Sequence, residues 1–340
     1  MPPADEVRAL GEECPGDFFR VVIESLAVSF DPAQSVAYDE LMEAWALHRP
    51  PAPTRIPELV DTVYVLSRVT LGADVKITSI MLDAMKRRFP NARIVLVAGR
   101  KSIELFEADP RLEYLEAAYP RSGPVSARIA FGHELREKLN APNSIVIDPD
   151  SRITQLGLVP VCDPGRAFHF PSRTSGTPTD NLSYLTNQWL KQTFGVTGRA
   201  FIAPNPVPLD CHRPCAAISL GVGENESKRI PGTFEADLIR HLSRRHPTLY
   251  IDRGAGGEEA RRVTAAVEAS GISNRVRFHE GSFAAFVSLI AQCDFYAGYD
   301  SAGQHAAAAA GVPFVSVFAG APSKVFRARW SPLPFHPQQE

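Results

Sequence analysis

This sequence of 340 residues has no long apolar run, no marked excess of positive or negative charge and no extended cluster of basic residues. No apolar stretch approaches the roughly 18 residues that a membrane-spanning helix needs. The 36 basic residues are balanced by 38 acidic ones, which gives a formal net charge of −2. Without a basic surface there is no electrostatic basis for nucleic-acid binding. We therefore expect a protein without membrane spans and without a nucleic-acid partner.

Cysteine is also scarce, with five residues scattered along the chain. An odd and scattered set does not fit a disulfide framework and is typical of a reducing compartment. Residues 211–215, read as CHRPC, offer three side chains of the metal-ligand type. We do not expect zinc there, because Cys215 opens an apolar strand and no second ligand cluster exists. The first residues lack the basic and apolar regions of a signal peptide, so we expect a cytoplasmic chain, with peripheral attachment at the inner membrane as the alternative.

The length of the chain suits two α/β domains of roughly 150 residues each. Residues 1–54 have helical patterns and end in closely spaced prolines, so we expect a helical extension that packs on the next domain or mediates a homo-oligomer. The first domain is predicted over residues 55–205 and the second over residues 206–333, with a proline-rich linker at their junction and a tail at 334–340.

Short apolar runs and helical patterns alternate in both predicted domains. In the first, Val63–Leu66 and Ile145–Ile147 have the pattern of buried strands, and Leu182–Phe194 has that of a helix. In the second, strands are predicted near 216–220, 248–252, 276–278, 295–298 and 313–318. Such alternation predicts parallel, doubly wound sheets, whose ligands bind at the carboxyl ends of the strands.

The most informative stretch is 300–305, read as DSAGQH, which joins an apolar strand to an alanine-rich helix. A helix that opens directly after a strand presents unpaired backbone N–H groups at the positive end of its dipole. Such a helix N-terminus commonly binds a phosphate group. Asp300 and His305 would lie on either side of whatever the phosphate carries, although a structural histidine at a helix start is an equally good interpretation of His305.

A second strand-to-loop unit begins about seventy residues earlier. The glycines at 221 and 223 allow a ligand to approach the backbone closely, and Lys228 follows at a position where its ammonium could neutralise a diphosphate. This segment is not a P-loop, because the glycine spacing is wrong and Arg229 follows the lysine. A solvated charge beside Arg229 is the alternative interpretation of Lys228.

Two other acidic positions leave alternatives open. Glu258 lies in the first turn of a predicted helix, where its carboxylate would meet either ribose hydroxyls or the helix dipole. Asp148-Pro149-Asp150 ends a predicted strand and superficially fits an Asp-x-Asp metal motif, but the proline and the strand-end position favour a turn.

Three motifs together resemble the bacterial heptosyltransferases of glycosyltransferase family 9. Residues 67–78, read as SRVTLGADVKIT, look like the family's opening segment, in which Leu-Gly-Asp-Val follows the first strand. Residues 227–231, read as SKRIP, are similar to the family's Ser-Lys-Arg-Trp-Pro. Residues 300–305 resemble its Asp-(Ser/Thr)-Gly-x-x-His. The motifs occur in the expected order and spacing, so the resemblance covers roughly residues 62–333 and leaves the N-terminal extension outside.

The resemblance implies a GT-B fold, with two Rossmann-like domains facing each other across a cleft, and an inverting glycosyltransferase without metal or cofactor. It implies that Asp74 is the general base, which alternatively could cap the helix starting at Val75. Acceptor-binding residues would be Arg68, Gly72 and Asp148. The donor nucleotide sugar would be bound by Gly223, Ser227, Lys228, Glu258, Asp300, Ser301, Ala302, Gly303 and His305.

The sequence departs from the family at two glycines. Ala73 stands where the family has glycine before the base, with Gly72 one place early, and Ala302 replaces the glycine of the phosphate loop, with Gly303 following. The sugar, with a heptose as one candidate, and the acceptor, whether carbohydrate, glycolipid or protein, are left open. A nucleotide-sugar epimerase and a non-catalytic nucleotide-binding scaffold are the alternative functions.

Overall fold

The computed structural model describes residues 3–14, 18, 22–23, 25–26, 31–121, 123–222, 226–254, 256–320 and 323–332. The chain forms two compact units, the first made of Met1–Ile103 and Pro110–Gly198, the second of Glu104–Asp109 and Arg199–Glu340. The short segment Glu104–Asp109 groups with the second unit because Ala203 exchanges backbone hydrogen bonds of 2.8 Å with Leu105 and Ala108. The predicted tail at 334–340 lies outside the described residues.

The first unit contains a parallel sheet of five strands in the order β3-β2-β1-β4-β5. In this sheet Val63 pairs with Ile94 on one side and with Ile145 on the other. All five residues of β1 and of β4 are buried, which explains their continuous apolar pattern. The strands are β1 (Thr62–Leu66), β2 (Arg93–Ala98), β3 (Leu112–Glu116), β4 (Ser144–Asp148) and β5 (Ala167–His169).

Helices follow most strands of the first unit. The last of them agrees with its predicted bounds, because the Asn181 side chain caps its start and Gly195, at φ 71°, ends it. The helices are α1 (Ala4–Glu13), α2 (Pro32–Met42), α3 (Leu71–Ala73), α4 (Ser79–Arg88), α5 (Arg100–Ile103), α6 (Val125–Leu139) and α7 (Leu182–Phe194). A π-turn at Asp74–Thr78 joins α3 to α4, and 3-10 turns lie at Glu43–Trp45 and Pro164–Arg166.

The described part of the N-terminal extension packs on the first unit. Val7 of α1 and Tyr38 and Met42 of α2 belong to one hydrophobic cluster with Leu156 and Val159, from the loop that follows β4. Tyr38 and Met42 are completely buried. The extension therefore shares a core with the loop at the carboxyl end of β4.

The second unit repeats this architecture with the order β10-β9-β6-β7-β8, all parallel. In both units the first strand lies at the centre, between the second and the fourth in chain order. The strands are β6 (Cys215–Ser219), β7 (Thr248–Asp252), β8 (Val276–His279), β9 (Phe295–Tyr299) and β10 (Phe314–Val317). The helices are α8 (Phe234–Ser243), α9 (Gly257–Ser270), α10 (Phe283–Gln292), α11 (Ala302–Ala309) and the unpredicted α12 (Lys324–Trp330), with 3-10 turns at Glu226–Lys228 and Ser273–Arg275.

These orders place a topological switch point at the centre of each sheet. In the first unit it lies between β1 and β4, and in the second between β6 and β9. Ligands of doubly wound sheets bind at the carboxyl ends of the strands at such a point. Within the described ranges, no helix is long and apolar enough to cross a bilayer.

Candidate functional site

The phosphate-loop motif lies at the switch point of the second unit. Strand β9 ends at Tyr299, and α11 begins three residues later at Ala302 with Ser301 as its N-cap residue. The Ser301 side chain makes no capping hydrogen bond. Ser301 and Ala302 are both partly exposed. The first N–H groups of α11 are therefore presented near the protein surface, where an anion can reach them.

Lys228 lies beside this loop although it is distant in sequence. Its Nζ is 3.1 Å from Asp300 Oδ2 and 3.2 Å from the Asp300 carbonyl oxygen. Nζ also lies 5.7 Å from the centre of the Phe326 ring, on the unpredicted helix α12. The structure thus brings two of the predicted donor residues into direct contact.

Asp300 is held from a second side by its own helix. Its Oδ1 accepts a hydrogen bond from Gln304 Nε2, and only 7% of the residue is exposed. His305, one residue further on, is also buried, with its ring 6.1 Å from the ring of Trp330. His305 therefore packs inside the unit.

Gly303 is required by packing. A Cβ at this position would lie 2.1 Å from Tyr296 Oη and 2.7 Å from Tyr296 Cζ, and Tyr296 is completely buried. The same hydroxyl would lie 2.6 Å from a Cβ at Gly298. The tyrosine therefore accounts for the glycine that follows Ala302.

The turn that carries Lys228 is also closely packed. Ser227 is exposed, and its carbonyl oxygen would lie 2.1 Å from a Cβ at Gly320, whose φ is 75°. Only glycine fits there without displacing the turn. Sequence reasoning missed Gly320, which follows β10 and so gave no local motif. Gly223 lies outside the described residues.

At the ends of β6 and β7 the acidic residue that faces the loops is Glu259. Glu258, the predicted donor residue, is exposed. A Cβ at Gly221 would lie 2.5 Å from a Glu259 carboxylate oxygen, and a Cβ at Gly254 would lie 2.3 Å from one. Glu259 thus fills the space that these two glycines leave open, whereas the sequence pattern favoured its neighbour.

In the first unit, Asp74 is completely buried within the π-turn. Its Oδ1 accepts hydrogen bonds from the Arg68 backbone N–H at 2.7 Å and from Thr78 Oγ1 at 2.9 Å. Its Oδ2 accepts from Ser67 Oγ and Ser102 Oγ, both at 2.7 Å. Burial raises the pKa of this carboxyl, and the four hydrogen-bond donors oppose that shift.

Asp74 does not cap a helix that starts at Val75. Helix α3 already begins at Leu71, with Thr70 as its N-cap residue, so the capping interpretation is wrong. Gly72 lies in this first turn and is partly exposed. The π-turn begins only at Asp74, after this glycine and Ala73.

Lys76 lies in the same π-turn and is also buried. Its Nζ donates a hydrogen bond of 2.9 Å to Asn181 Oδ1, at the start of α7. Burial lowers the pKa of Lys76 to about 7. The π-turn therefore holds two buried ionisable side chains.

Arg68 links the two loops of the switch point. Its guanidinium Nη1 donates hydrogen bonds to the Pro149 carbonyl oxygen at 3.0 Å and to Ser172 Oγ at 2.5 Å. The next residue, Val69, has φ 70°, which is rare for a β-branched side chain. Strained backbone of this kind clusters at functional sites. No sequence pattern signalled it.

Asp148 organises the loop after β4. Its Oδ1 accepts from the Ser151 backbone N–H at 2.7 Å, and its Oδ2 accepts from Thr154 Oγ1 at 2.6 Å. His169 Nδ1 lies 3.2 Å from the same Oδ2. Among the described residues, no group of three or more His, Cys, Asp or Glu side chains is placed to hold a metal ion. The geometry of Asp148 is that of a turn, as the proline suggested.

Comparison with solved structures identifies the fold. The chain is similar to a family 9 glycosyltransferase from Veillonella parvula, with a TM-score of 0.57 and 17% identity over 76% of this chain and 81% of that one. It is similar to E. coli ADP-heptose lps heptosyltransferase II (TM-score 0.52, 20% identity, 75% of this chain and 84% of that one). It is also similar to E. coli heptosyltransferase WaaC with ADP (TM-score 0.54, 15% identity, 80% of this chain and 96% of that one).

No family model and no curated protein sequence matches the chain. The structural similarity nevertheless confirms the resemblance to family 9 and the α/β fold with two Rossmann-like domains. At these identities it establishes the fold alone.

Proposed function

We propose that the protein is a glycosyltransferase that moves a sugar from a nucleoside-diphosphate sugar to an acceptor hydroxyl. The observation that carries this proposal is the contact between Lys228 Nζ and Asp300, 3.1 Å apart beside the uncapped start of α11. A cation and a helix N-terminus at a topological switch point suit a diphosphate. The fold shared with family 9 glycosyltransferases supports the same conclusion.

The chemistry of the donor explains why these groups are needed. Breaking the bond between the sugar and the diphosphate places negative charge on the leaving phosphate. The Lys228 ammonium and the first N–H groups of α11 would stabilise that charge, so we propose a reaction that is independent of metal ions. In the free protein Asp300 neutralises Lys228. A bound diphosphate would therefore compete with Asp300 for the ammonium.

We propose Asp74 as the general base. A single carboxylate suffices for a direct displacement that inverts the anomeric centre. Two of its four donors, Ser67 and Ser102, are hydroxyls that can rotate and release Oδ2 to an acceptor hydroxyl. Burial raises the pKa of Asp74 and so makes its ionised form a stronger base. On this proposal Arg68, Gly72 and Asp148 lie on the acceptor side.

The donor, the acceptor and the assembly are proposed only by class. A heptose is the sugar that the family resemblance favours. The acceptor would be a carbohydrate, alone or on a lipid or protein. The cytoplasm would be the site of action, and a homo-oligomer formed through the extension stays a prediction.

Calorimetric titration tests the donor site. ADP, GDP and UDP are titrated into the wild-type protein, Lys228→Met and Lys191→Met, a control that removes an exposed lysine at the end of α7. We expect one nucleotide to be preferred. Lys228→Met should weaken its binding about tenfold to hundredfold, the loss of one charge-assisted contact of roughly 1–3 kcal/mol. Lys191→Met should bind like the wild type. Equal affinity of Lys228→Met and the wild type would contradict the proposed site.

A further inference from the structure

A cavity of about 220 Å³ lies in the first unit beside strands β4 and β5. Val146 and Ala167, which are paired neighbours on these strands, form part of its wall. Pro51 and Ala52, from the segment that ends the N-terminal extension, line it as well. These two residues are exposed, whereas Val146 is buried. The cavity therefore reaches from the surface of the unit into its core.

The cavity lies where two hydrophobic clusters meet. Val159 belongs to the cluster that the extension forms with the loop after β4. Val146, Val161 and Cys162 belong to the cluster of the sheet. All four side chains line the cavity. The extension thus packs on the first unit in a way that leaves an apolar space between the two clusters.

The polar side chains on the wall already have partners. Asp148 Oδ2 accepts a hydrogen bond from Thr154 and lies 3.2 Å from His169 Nδ1. His169 Nε2 lies 3.2 Å from Arg49 Nη1, and Arg49 Nη2 donates to both carboxylate oxygens of Asp39 at 3.0 Å. Water in a cavity needs several polar groups to bind, so a wall of this kind favours an apolar occupant.

The wall of the cavity is held in place by the fold itself. Arg49 Nη1 donates a hydrogen bond of 2.7 Å to the Leu156 carbonyl oxygen, which ties the end of the extension to the loop after β4. Gly157 follows, with φ 84°. A Cβ there would lie 2.7 Å from His169 Cε1 and 2.9 Å from Arg49 Nη1, so glycine allows these two side chains to meet. The site is therefore formed before a ligand binds.

The volume of the cavity sets the size of the ligand. An engineered apolar cavity of about 150 Å³ in another protein binds benzene. Drug-sized ligands need pockets of about 300 Å³ or more. A cavity of about 220 Å³ therefore suits a single aromatic or alicyclic ring with a short substituent. Its binding would be driven by the burial of apolar surface.

We propose that this cavity binds one small uncharged apolar group of that size. The group belongs either to a free small molecule or to the acceptor, because Asp148 lines the cavity and lies on the side that the proposed function assigns to the acceptor. The inference rests on the proposed function only for the second source. The N-terminal extension, which lies outside the family resemblance, would supply part of the binding site.

Binding is measured on the full chain by calorimetry without nucleotide. The probes are toluene, phenyl β-glucoside and glucose, which has a ring of similar size but a polar surface. We expect toluene to bind and glucose not to bind. Tighter binding of phenyl β-glucoside than of toluene would indicate an acceptor that carries an apolar group. Equal or weaker binding of phenyl β-glucoside would indicate a free small molecule.

Ala167→Leu places an isopropyl group in the cavity. We expect it to abolish toluene binding, because the added group occupies the space of the ring. Its thermal stability without ligand should be at least that of the wild type, since filling an apolar cavity stabilises a fold. The control Ala265→Leu makes the same change at an exposed position of α9, away from the lining residues. Toluene should raise the unfolding temperature of the wild type and of this control, but not that of Ala167→Leu.

Val161→Ala tests the site in the opposite direction, and it decides the matter if Ala167→Leu does not fold. Val161 is buried on the wall, and its truncation enlarges the cavity. Indole, which is larger than toluene, is the additional probe. We expect the affinity for indole relative to that for toluene to be higher in Val161→Ala than in the wild type.

The proposal is overturned if toluene does not bind, if glucose binds as well as toluene, if Ala167→Leu keeps the wild-type affinity for toluene, or if Val161→Ala leaves the preference between indole and toluene unchanged. Lys228→Met should bind toluene like the wild type. Loss of nucleotide binding with retained toluene binding would therefore refute the proposed donor site alone. Nucleotide binding without toluene binding would refute the cavity site alone.

Discussion

Gly303→Ala should destabilise the second unit because its methyl group has no room. The new Cβ would lie 2.1 Å from Tyr296 Oη, 2.7 Å from Cζ and 3.1 Å from Cε2. Tyr296 is completely buried and is the second residue of β9, paired on both sides, so it cannot move away without disturbing the sheet. The substitution is thus an overpacking of the core at the start of α11.

The magnitude follows from two opposing effects. Alanine gains about 1 kcal/mol over glycine inside a helix. Overpacking of a rigid core typically costs about 1–3 kcal/mol, and a contact near 2 Å belongs at the upper end of that range. We expect a net loss of about 1–2 kcal/mol in the free energy of unfolding. Tyr296→Phe removes the nearest atom, so the double variant should recover at least about 0.5 kcal/mol through coupling of the two sites.

Urea denaturation of the four proteins in this cycle gives the free energies of unfolding. Gly165→Ala is the control, because a Cβ at that glycine has nothing within 4 Å. It should change stability by less than about 0.5 kcal/mol. A Gly303→Ala protein that is as stable as the wild type or more stable would refute the packing role of Gly303. The glycine would then be explained by ligand approach, the interpretation that the motif suggested.

Three further expectations concern Asp74, the metal requirement and Lys76. Asp74→Asn should lower turnover by roughly a hundredfold while the unfolding midpoint stays close to that of the wild type, since asparagine keeps the shape but cannot accept the proton. A large drop in stability with little change in turnover would assign Asp74 a structural role. EDTA should leave turnover unchanged, because Lys228 supplies the cation. Loss of activity with rescue by magnesium or manganese would contradict this. Burial lowers the pKa of Lys76 to about 7 from 10.5, so the folded protein binds fewer protons than the unfolded chain between these values. The free energy of unfolding of the wild type should therefore rise from pH 7 to 10.5 by roughly 2–4 kcal/mol more than that of Lys76→Met. If the free energies of unfolding of the two proteins change in parallel with pH, Lys76 is not buried.

The strands and the better-capped helices could be predicted from the sequence because local signals determine them. Helix α7 has an asparagine cap and a glycine stop, and its bounds agree with the prediction. The central strands are apolar throughout because both of their faces are covered. The contact of Lys228 with Asp300 was also predictable, since the loops at the carboxyl ends of neighbouring parallel strands converge.

Other features depend on contacts that no local pattern encodes. Glu258 and Glu259 are adjacent, and a difference of one residue turns a side chain by about 100° around the helix, so the motif could not choose between them. The sequence likewise could not place the Asp74 side chain, because no local pattern predicted the π-turn at Asp74–Thr78. The contact of Tyr38 with Arg173 joins residues that are far apart in sequence. This contact is visible only in the folded structure, in which the N-terminal extension packs on the first unit.

The transfer reaction itself is the decisive test of the proposed glycosyltransferase. Purified protein is incubated with ADP-, GDP- and UDP-linked sugars, with and without candidate carbohydrate acceptors. Released nucleoside diphosphate is quantified, and the anomeric configuration of the product is determined by NMR. We expect acceptor-dependent release of nucleoside diphosphate from a preferred donor, in a ratio of one to one with a glycosylated product of inverted configuration. Conversion of the donor to an isomer without release would indicate an epimerase, and binding without any turnover would indicate a nucleotide-binding scaffold. Either result would contradict the proposed sugar transfer.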